Sequence, residues 1–324
     1  FFDAMEKPTR WRTWKAIILF GLALGTKLNA PFLWVAAVTY VMLLDPIRVS
    51  WKSFELPDIP FALLGMLLLS PLIALGLWPW MWFDTLTRLN QYALFHLQHY
   101  NILFYYGGTL YSEEVAPWTA PLVLTALTVP LPYLLTMVLG AGRPLWATIG
   151  QFPGLFARRL ASGDALLTSA RLRLGLLALL SAGLQLAAVS LPTVPKYGGI
   201  KLFLPAFPFL AILAGFGFFL IEGEIRHALG AHWRHRILAA LVVILLAPSA
   251  AAVVGYRGAW LSYYNALAGG LPGATESGHE RQYYDLAYPE IPALLTEHLG
   301  DGGAVAFLPN PKEYSPHVGR WQRL

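Results

Sequence analysis

Three lysines stand out because their type and spacing suit the binding of an anion. Lys196 and Lys201 flank the turn Tyr197-Gly198-Gly199-Ile200, and Lys27 follows the run Gly21–Thr26. Fixed cations at the surface of a bilayer suit a lipid phosphate, which sits at that depth. Lysines at helix ends also snorkel simply to reach water, and spacing alone leaves both readings open. A second group lies between Pro79 and Thr119. His96 and His99 stand three residues apart on one helical face, a spacing that allows joint metal ligation or contact with an anionic substrate. Two interfacial histidines bonded to water and headgroups are the competing reading. Tyr105-Tyr106-Gly107-Gly108 places glycines beside aromatics, which suits a loop approaching a flat ring such as a sugar. Glu113 and Glu114 offer a base or a metal ligand, or merely a solvated turn. Adjacent side chains diverge, so at most one of the two acts. The chain has no Cys, which removes disulfides, thiol chemistry and Cys-ligated metal sites. There is no phosphate-cradling glycine loop, HExxH, GxSxG or EF-hand pattern.

The elements that must position these groups are membrane helices. Of the 324 residues, 56% are hydrophobic and only 13% are charged. A soluble domain carries about 25% charged residues, and this chain has too little polar surface to cover one. The same composition excludes a disordered chain. Five runs lack Asp, Glu, Lys, Arg and His and are long enough to cross a bilayer as helices: Pro60–Trp78, Ala120–Ala141, Leu174–Leu191, Leu202–Ile221 and Ile237–Gly255. Ala16–Leu44 is too long for one untilted span and contains Lys27, Asn29 and Pro31. Pro31 lacks a backbone donor and disfavours helix at Ala30. The segment therefore reads as two short helices, Trp11–Thr26 and Pro31–Leu44, turning at Lys27. A single tilted helix with a snorkelling lysine is the alternative.

With the hairpin, residues 1–15, 45–59, 142–173 and 222–236 share one side and carry 14 Lys and Arg. Lys27 and residues 79–119 and 192–201, on the other side, carry 4. That bias puts the first set in the cytoplasm. The polar and aromatic segments then face outward: the 79–119 loop, the 192–201 link and the tail from Tyr256. Trp78, Trp80, Trp82, Trp118, Tyr197, Tyr256 and Trp260 fall at span ends, as an interfacial belt would. Asp84 is placed to cap a helix from Thr85 to about Tyr100, lying on the membrane surface. The basic residues sit in short links and form no stripe, so nucleic acid is not the partner. The expected fold is an all-α polytopic membrane protein of about seven spans, two of them short, with a small C-terminal α/β segment outside the membrane. The transmembrane domain covers 1–255. The non-cytoplasmic segment covers 256–324, with a short helix at 292–299 and a strand at 304–308.

Four stretches carry a family resemblance. Gly21-Leu22-Ala23-Leu24-Gly25-Thr26-Lys27 resembles a segment of polytopic, lipid-carrier-dependent glycosyltransferases, the relatives of protein O-mannosyltransferases and of lipid A aminoarabinose transferases. Residues 78–100 with 105–118, 196–215 and 261–280 are similar to later stretches of that family, in the same order. The resemblance implies a cell-envelope transferase of the plasma or inner membrane. It would pass a sugar from a polyprenyl-phosphate donor to a lipid, glycan or protein acceptor on the non-cytoplasmic face. It places Lys27, Lys196 and Lys201 near the donor phosphate. His96, His99, Tyr100, Tyr105 and Tyr106 fall in the loop above the substrate. Some members bind a divalent metal, for which His99 and Glu113 are the candidates. Lys201 stands where an Arg is expected and lacks its bidentate fork. The family's proposed catalytic base is an Asp in an early external loop. That Asp is expected upstream of Phe1, in a longer protein of which this is a fragment. A membrane transporter or flippase is the rival reading. Transporters place ionisable groups near the midplane, whereas five runs here have none.

Overall fold

A computed structural model describes residues 1–45, 48–50, 53–55, 58–97, 104–111, 116–157, 169–194, 196–228, 230–257, 259–281 and 297. The chain is mostly helical. After the short α1 (Phe2–Glu6) come α2 (Arg10–Thr26) and α3 (Pro31–Leu44), joined at Lys27. The expected hairpin is therefore present. Pro31 opens α3, where its missing N–H costs nothing. Thr9 caps α2 by accepting from the Arg12 amide at 3.3 Å.

The run Pro60–Trp78 forms two helices rather than one, α4 (Phe61–Leu68) and α5 (Ser70–Gly76). The break at Leu69 precedes Pro71, which supplies no donor to the previous turn. Both halves pack on α2. The fully buried Ser70 hydroxyl donates to the Ile17 carbonyl at 2.7 Å. Gly21 lies so close to Ile73 that a Cβ would stand 2.8 Å from it. The hairpin's second helix, α3, packs against a later span.

Residues 79–119 form the helix α6 (Thr85–Leu97) and a hairpin of β3 (Phe104–Tyr106) and β4 (Thr109–Tyr111). A second two-stranded hairpin, Arg48–Ser50 with Ser53–Glu55, links α3 to α4. Ala120–Ala141, expected as one span, is also broken. A short α7 (Ala120–Thr128) ends before Pro130, and α8 (Leu131–Ala157) then runs far past Ala141. The remaining long helices are α9 (Ala170–Ser190), α10 (Phe207–Ala228) and α11 (Ala231–Gly255), followed by a short α12 (Gly270–Glu276).

Three helical segments among the described residues are long and apolar enough to cross a membrane: Ala170–Ser190, Leu204–Ala228 and Trp233–Gly255. Pro31–Leu44 and Phe61–Gly76 are apolar but shorter, and α2 carries Arg10, Arg12 and Lys15 in its first turns. A membrane protein follows from these helices. Its interior is held by close packing, because lipid tails give helices no hydrophobic reason to associate. The tightest contact is between α8 and α10. A Cβ on Gly140 would lie 1.8 Å from the Leu213 carbonyl oxygen, and one on Gly217 1.8 Å from that of Thr136. The two backbones touch because neither residue has a side chain.

The compact unit runs from Phe1 to Tyr283. Residues beyond 255 are thus continuous with the helices up to that point. The second unit is Tyr284–Leu324. The helix at 292–299 and the strand at 304–308 lie outside the described residues, apart from Glu297.

Replacing Gly217 with Leu should force α8 and α10 apart and destabilise the fold by about 1–3 kcal/mol or more. A thermal melt of purified protein in detergent checks this. An unchanged midpoint would contradict the backbone contact.

Candidate functional site

The lysine turn is built by the ends of three elements. Lys27 is extended, with φ −157° and ψ 142°, and stops α2. Its ammonium donates to the Lys201 carbonyl at 2.5 Å and reaches that of Leu202 at 3.5 Å. Two residues on, the Asn29 amide donates to the same Leu202 carbonyl at 3.0 Å. The Asn29 carbonyl in turn accepts from Gln185 Nε2 of α9 at 3.2 Å. Gln185 is fully buried, and its Oε1 has no hydrogen-bond partner. The receiving loop turns sharply because Gly198 and Gly199 both adopt left-handed φ, +61° and +57°. Lys201 then stands over the Tyr197 ring at 5.6 Å, a cation–π distance. Burial, and then the charge of Lys201, hold the Lys27 pKa below its ordinary value. Two of the three expected lysines therefore bear on one another.

The third is placed differently. Lys196 is only 3% exposed. Its ammonium donates to the Leu191 and Val194 carbonyls at 3.0 and 3.2 Å, just past the end of α9. A cation there answers the orphan carbonyls and the negative end of the helix dipole. Burial lowers its pKa. Lys196 also lines a cavity of about 10 Å³, with Phe104 of the hairpin, Leu124 of α7 and Tyr197 around it. That is space for about one water. The lysine expected at the donor phosphate is, in this structure, a helix cap.

The aromatic hairpin is docked on the tail. Gly107 and Gly108, with φ +59° and +76°, make the two-residue turn between β3 and β4. The Gly108 amide donates to the Gly278 carbonyl at 3.0 Å. Tyr106 stacks on Phe104 and meets the His279 ring edge-on at 5.0 Å. Tyr264 donates its hydroxyl to the Glu280 carbonyl at 2.7 Å. The exposed Tyr105 donates its amide to a Glu280 carboxylate oxygen at 3.4 Å. His279 Nδ1 is buried without a hydrogen-bond partner, and burial holds its pKa below the ordinary histidine value. Tyr106 is thus a packing residue, and Tyr105 remains accessible.

The tail is fixed by Asn265, 3% exposed. Its side-chain amide donates to the Ala126 and Val129 carbonyls, both at 2.6 Å. Its backbone amide donates to Leu127 at 2.8 Å. These are the carbonyls left open where α7 breaks before Pro130. On α6, His96 Nδ1 lies 2.8 Å from the Tyr92 carbonyl, and the ring is held between Tyr92 and Phe95. Asp84 precedes α6 with a left-handed φ of +51°, rather than the extended form of an ordinary cap. His99, Tyr100, Glu113 and Glu114 lie outside the described residues. Among the described residues no three His, Cys, Asp or Glu side chains converge as a metal site.

No family model, curated protein or solved structure matches the chain. The site therefore rests on its own geometry.

Gln185, Asn265 and His279 went unread in the sequence, and Asn29 was read only as an interruption of an apolar run. Asn265 carries the clearest signal, as one amide between paired tyrosines and a Gly-Gly turn. Asn265→Ala would leave two buried carbonyls open, at a cost of about 1–3 kcal/mol each. Hydrogen exchange at 260–281 should then rise with little change in α9 and α10. For His279, the lowered folded pKa means that the folded state binds fewer protons than the unfolded one. Its contribution is present above pH 6.5 and is lost as pH falls through the folded value. Once the base-catalysed intrinsic rate is divided out, the same amides should be less protected at pH 5 than at pH 7.5, and His279→Phe should flatten that difference.

Proposed function

We propose that the chain is the membrane body of a glycosyltransferase that uses a polyprenyl-phosphate-linked sugar. The topology proposed with it has seven spans. The lysine turn, the hairpin and the tail up to Glu280 face the non-cytoplasmic side. The observation that carries this reading is the Lys27–Lys201 pair. Two lysines distant in sequence meet at one turn, and the charge of Lys201 raises the cost of charging Lys27. A phosphate placed between them relieves that repulsion. The Tyr197 ring lies under Lys201 at this turn, and Tyr105 offers an exposed ring on the hairpin.

In this reading the lipid phosphate rests against Lys27 and Lys201 while the sugar is held above it. The acceptor oxygen attacks the anomeric carbon and a carboxylate takes the acceptor proton. The bond from that carbon to the phosphate oxygen breaks as the new glycosidic bond forms. The two lysines stabilise the negative charge gathering on the leaving phosphate. No residue of this chain is assigned as the carboxylate. Lys196 supports the site from below by holding the end of α9 and the floor of the loop. Its part is positional.

Lys27→Ala and Lys201→Ala, each in the full-length protein, should cut sugar transfer by about 10-fold to 100-fold, the worth of a charge-assisted contact. Lys201→Arg should keep activity. Lys196→Ala should lower both the melting temperature and turnover. The assay is radiolabelled sugar transfer from polyprenyl-phosphate donor. Unchanged turnover in both the Lys27 and Lys201 variants would remove the phosphate role. Movement of the donor across vesicles without its consumption would favour a flippase.

A further inference from the structure

The end of α2 remote from Lys27 has a second cationic feature that the transferase reading does not use. A groove of about 260 Å³ opens between the starts of α2 and α4. Its walls are Pro8, Thr9, Arg10, Thr13, Trp14 and Phe61. The walls divide by chemistry. Arg10 and the two threonine hydroxyls make a polar, cationic end, while Trp14 and Phe61 make an apolar one. Phe61 is 63% exposed, so the apolar end is open. Three further cations, Lys7, Arg12 and Lys15, lie within the same fifteen residues. The acidic groups near the two helix starts are Asp3 and Glu6 before α2 and Asp58 before α4, the last with its amide donating to Asp45 Oδ2 at 3.3 Å; Glu6 is committed to Arg173 of α9 at 2.5 Å. Of the residues that line the groove itself, Arg10 is the one that carries a charge.

We propose that this groove binds an anionic phospholipid of the leaflet opposite the lysine rim. The phosphodiester sits against the Arg10 guanidinium and the Thr9 and Thr13 hydroxyls. The glycerol and first methylenes lie between Trp14 and Phe61. The inference does not depend on the transferase reading, because it needs only that α2 and α4 begin at one membrane face. Charge complementarity selects an anionic over a zwitterionic lipid. The apolar end selects a lipid over a free phosphate ion.

The test is native mass spectrometry of the full chain in neutral detergent, titrated with phosphatidylglycerol, phosphatidylcholine or inorganic phosphate. Phosphatidylglycerol should be retained at least five-fold better than phosphatidylcholine. Arg10→Ala should lose about five-fold of that retention, the worth of one basic residue at a membrane surface, and Arg10→Lys should keep most of it. Phe61→Ala should weaken both lipids alike. Arg10 is exposed, and an unchanged melting temperature for Arg10→Ala will show that the fold is intact. Equal retention of the two lipids, or an Arg10→Ala variant indistinguishable from the parent, overturns the proposal. Displacement of phosphatidylglycerol by millimolar inorganic phosphate would reassign the groove to a free anion and overturn it as well.

Discussion

Helix ends expose carbonyls, and a membrane interior offers no water to satisfy them. Much of this structure follows from that shortage. Lys27 and Asn29 donate to Lys201 and Leu202, Lys196 to Leu191 and Val194, and Asn265 to Ala126 and Val129. Away from helix ends, Ser70 and Trp34 donate a further bond to carbonyls inside helices, those of Ile17 in α2 and Leu63 in α4. Trp82 and Trp260 each reach back seven residues, to Leu75 and Val253. In each case a side-chain donor answers a carbonyl oxygen of the main chain. The polar residues that look available for chemistry in such a protein are therefore first in demand as partners for the backbone.

That demand separates the three lysines. Lys196 is enclosed and spends its hydrogens on the end of α9. Lys27 also donates to carbonyls, but the peptide it holds belongs to Lys201, so its bond brings a second cation close. The same kind of contact thus closes one position and charges another. The aromatic hairpin divides in a similar way, with Tyr106 packed on His279 and Tyr105 left at the surface.

The helical hairpin was legible in the sequence because Lys27, Asn29 and Pro31 interrupt an apolar run within five residues. The spans Leu174–Leu191, Leu202–Ile221 and Ile237–Gly255 were legible because their composition is apolar throughout, and the helices found there, Ala170–Ser190, Leu204–Ala228 and Trp233–Gly255, each run on into charged residues at one end. The breaks at Leu69 and Val129 were missed, although Pro71 and Pro130 mark both. Uncharged length was read as continuity, and a missing backbone donor leaves no trace in a charge count. The site was legible in part. The lysines could be picked out by type, but their carbonyl partners could not, since every residue carries a carbonyl and pattern does not say which are orphaned. Asn265 and His279 acquire their roles only when a tail 130 or more residues away folds onto the stub of α7 and the turn at Gly107–Gly108.

The bare contact between Gly140 and Gly217 also restricts how the molecule can move. One turn along α10 in either direction, the position facing Gly140 would be filled by Leu213 or Ile221. A vertical slip would drive a branched side chain into main-chain atoms. The pair behaves as a notch rather than a bearing: it can rock about that point but cannot ratchet past it. Movement of α8 against α10 is then limited to rocking about their crossing.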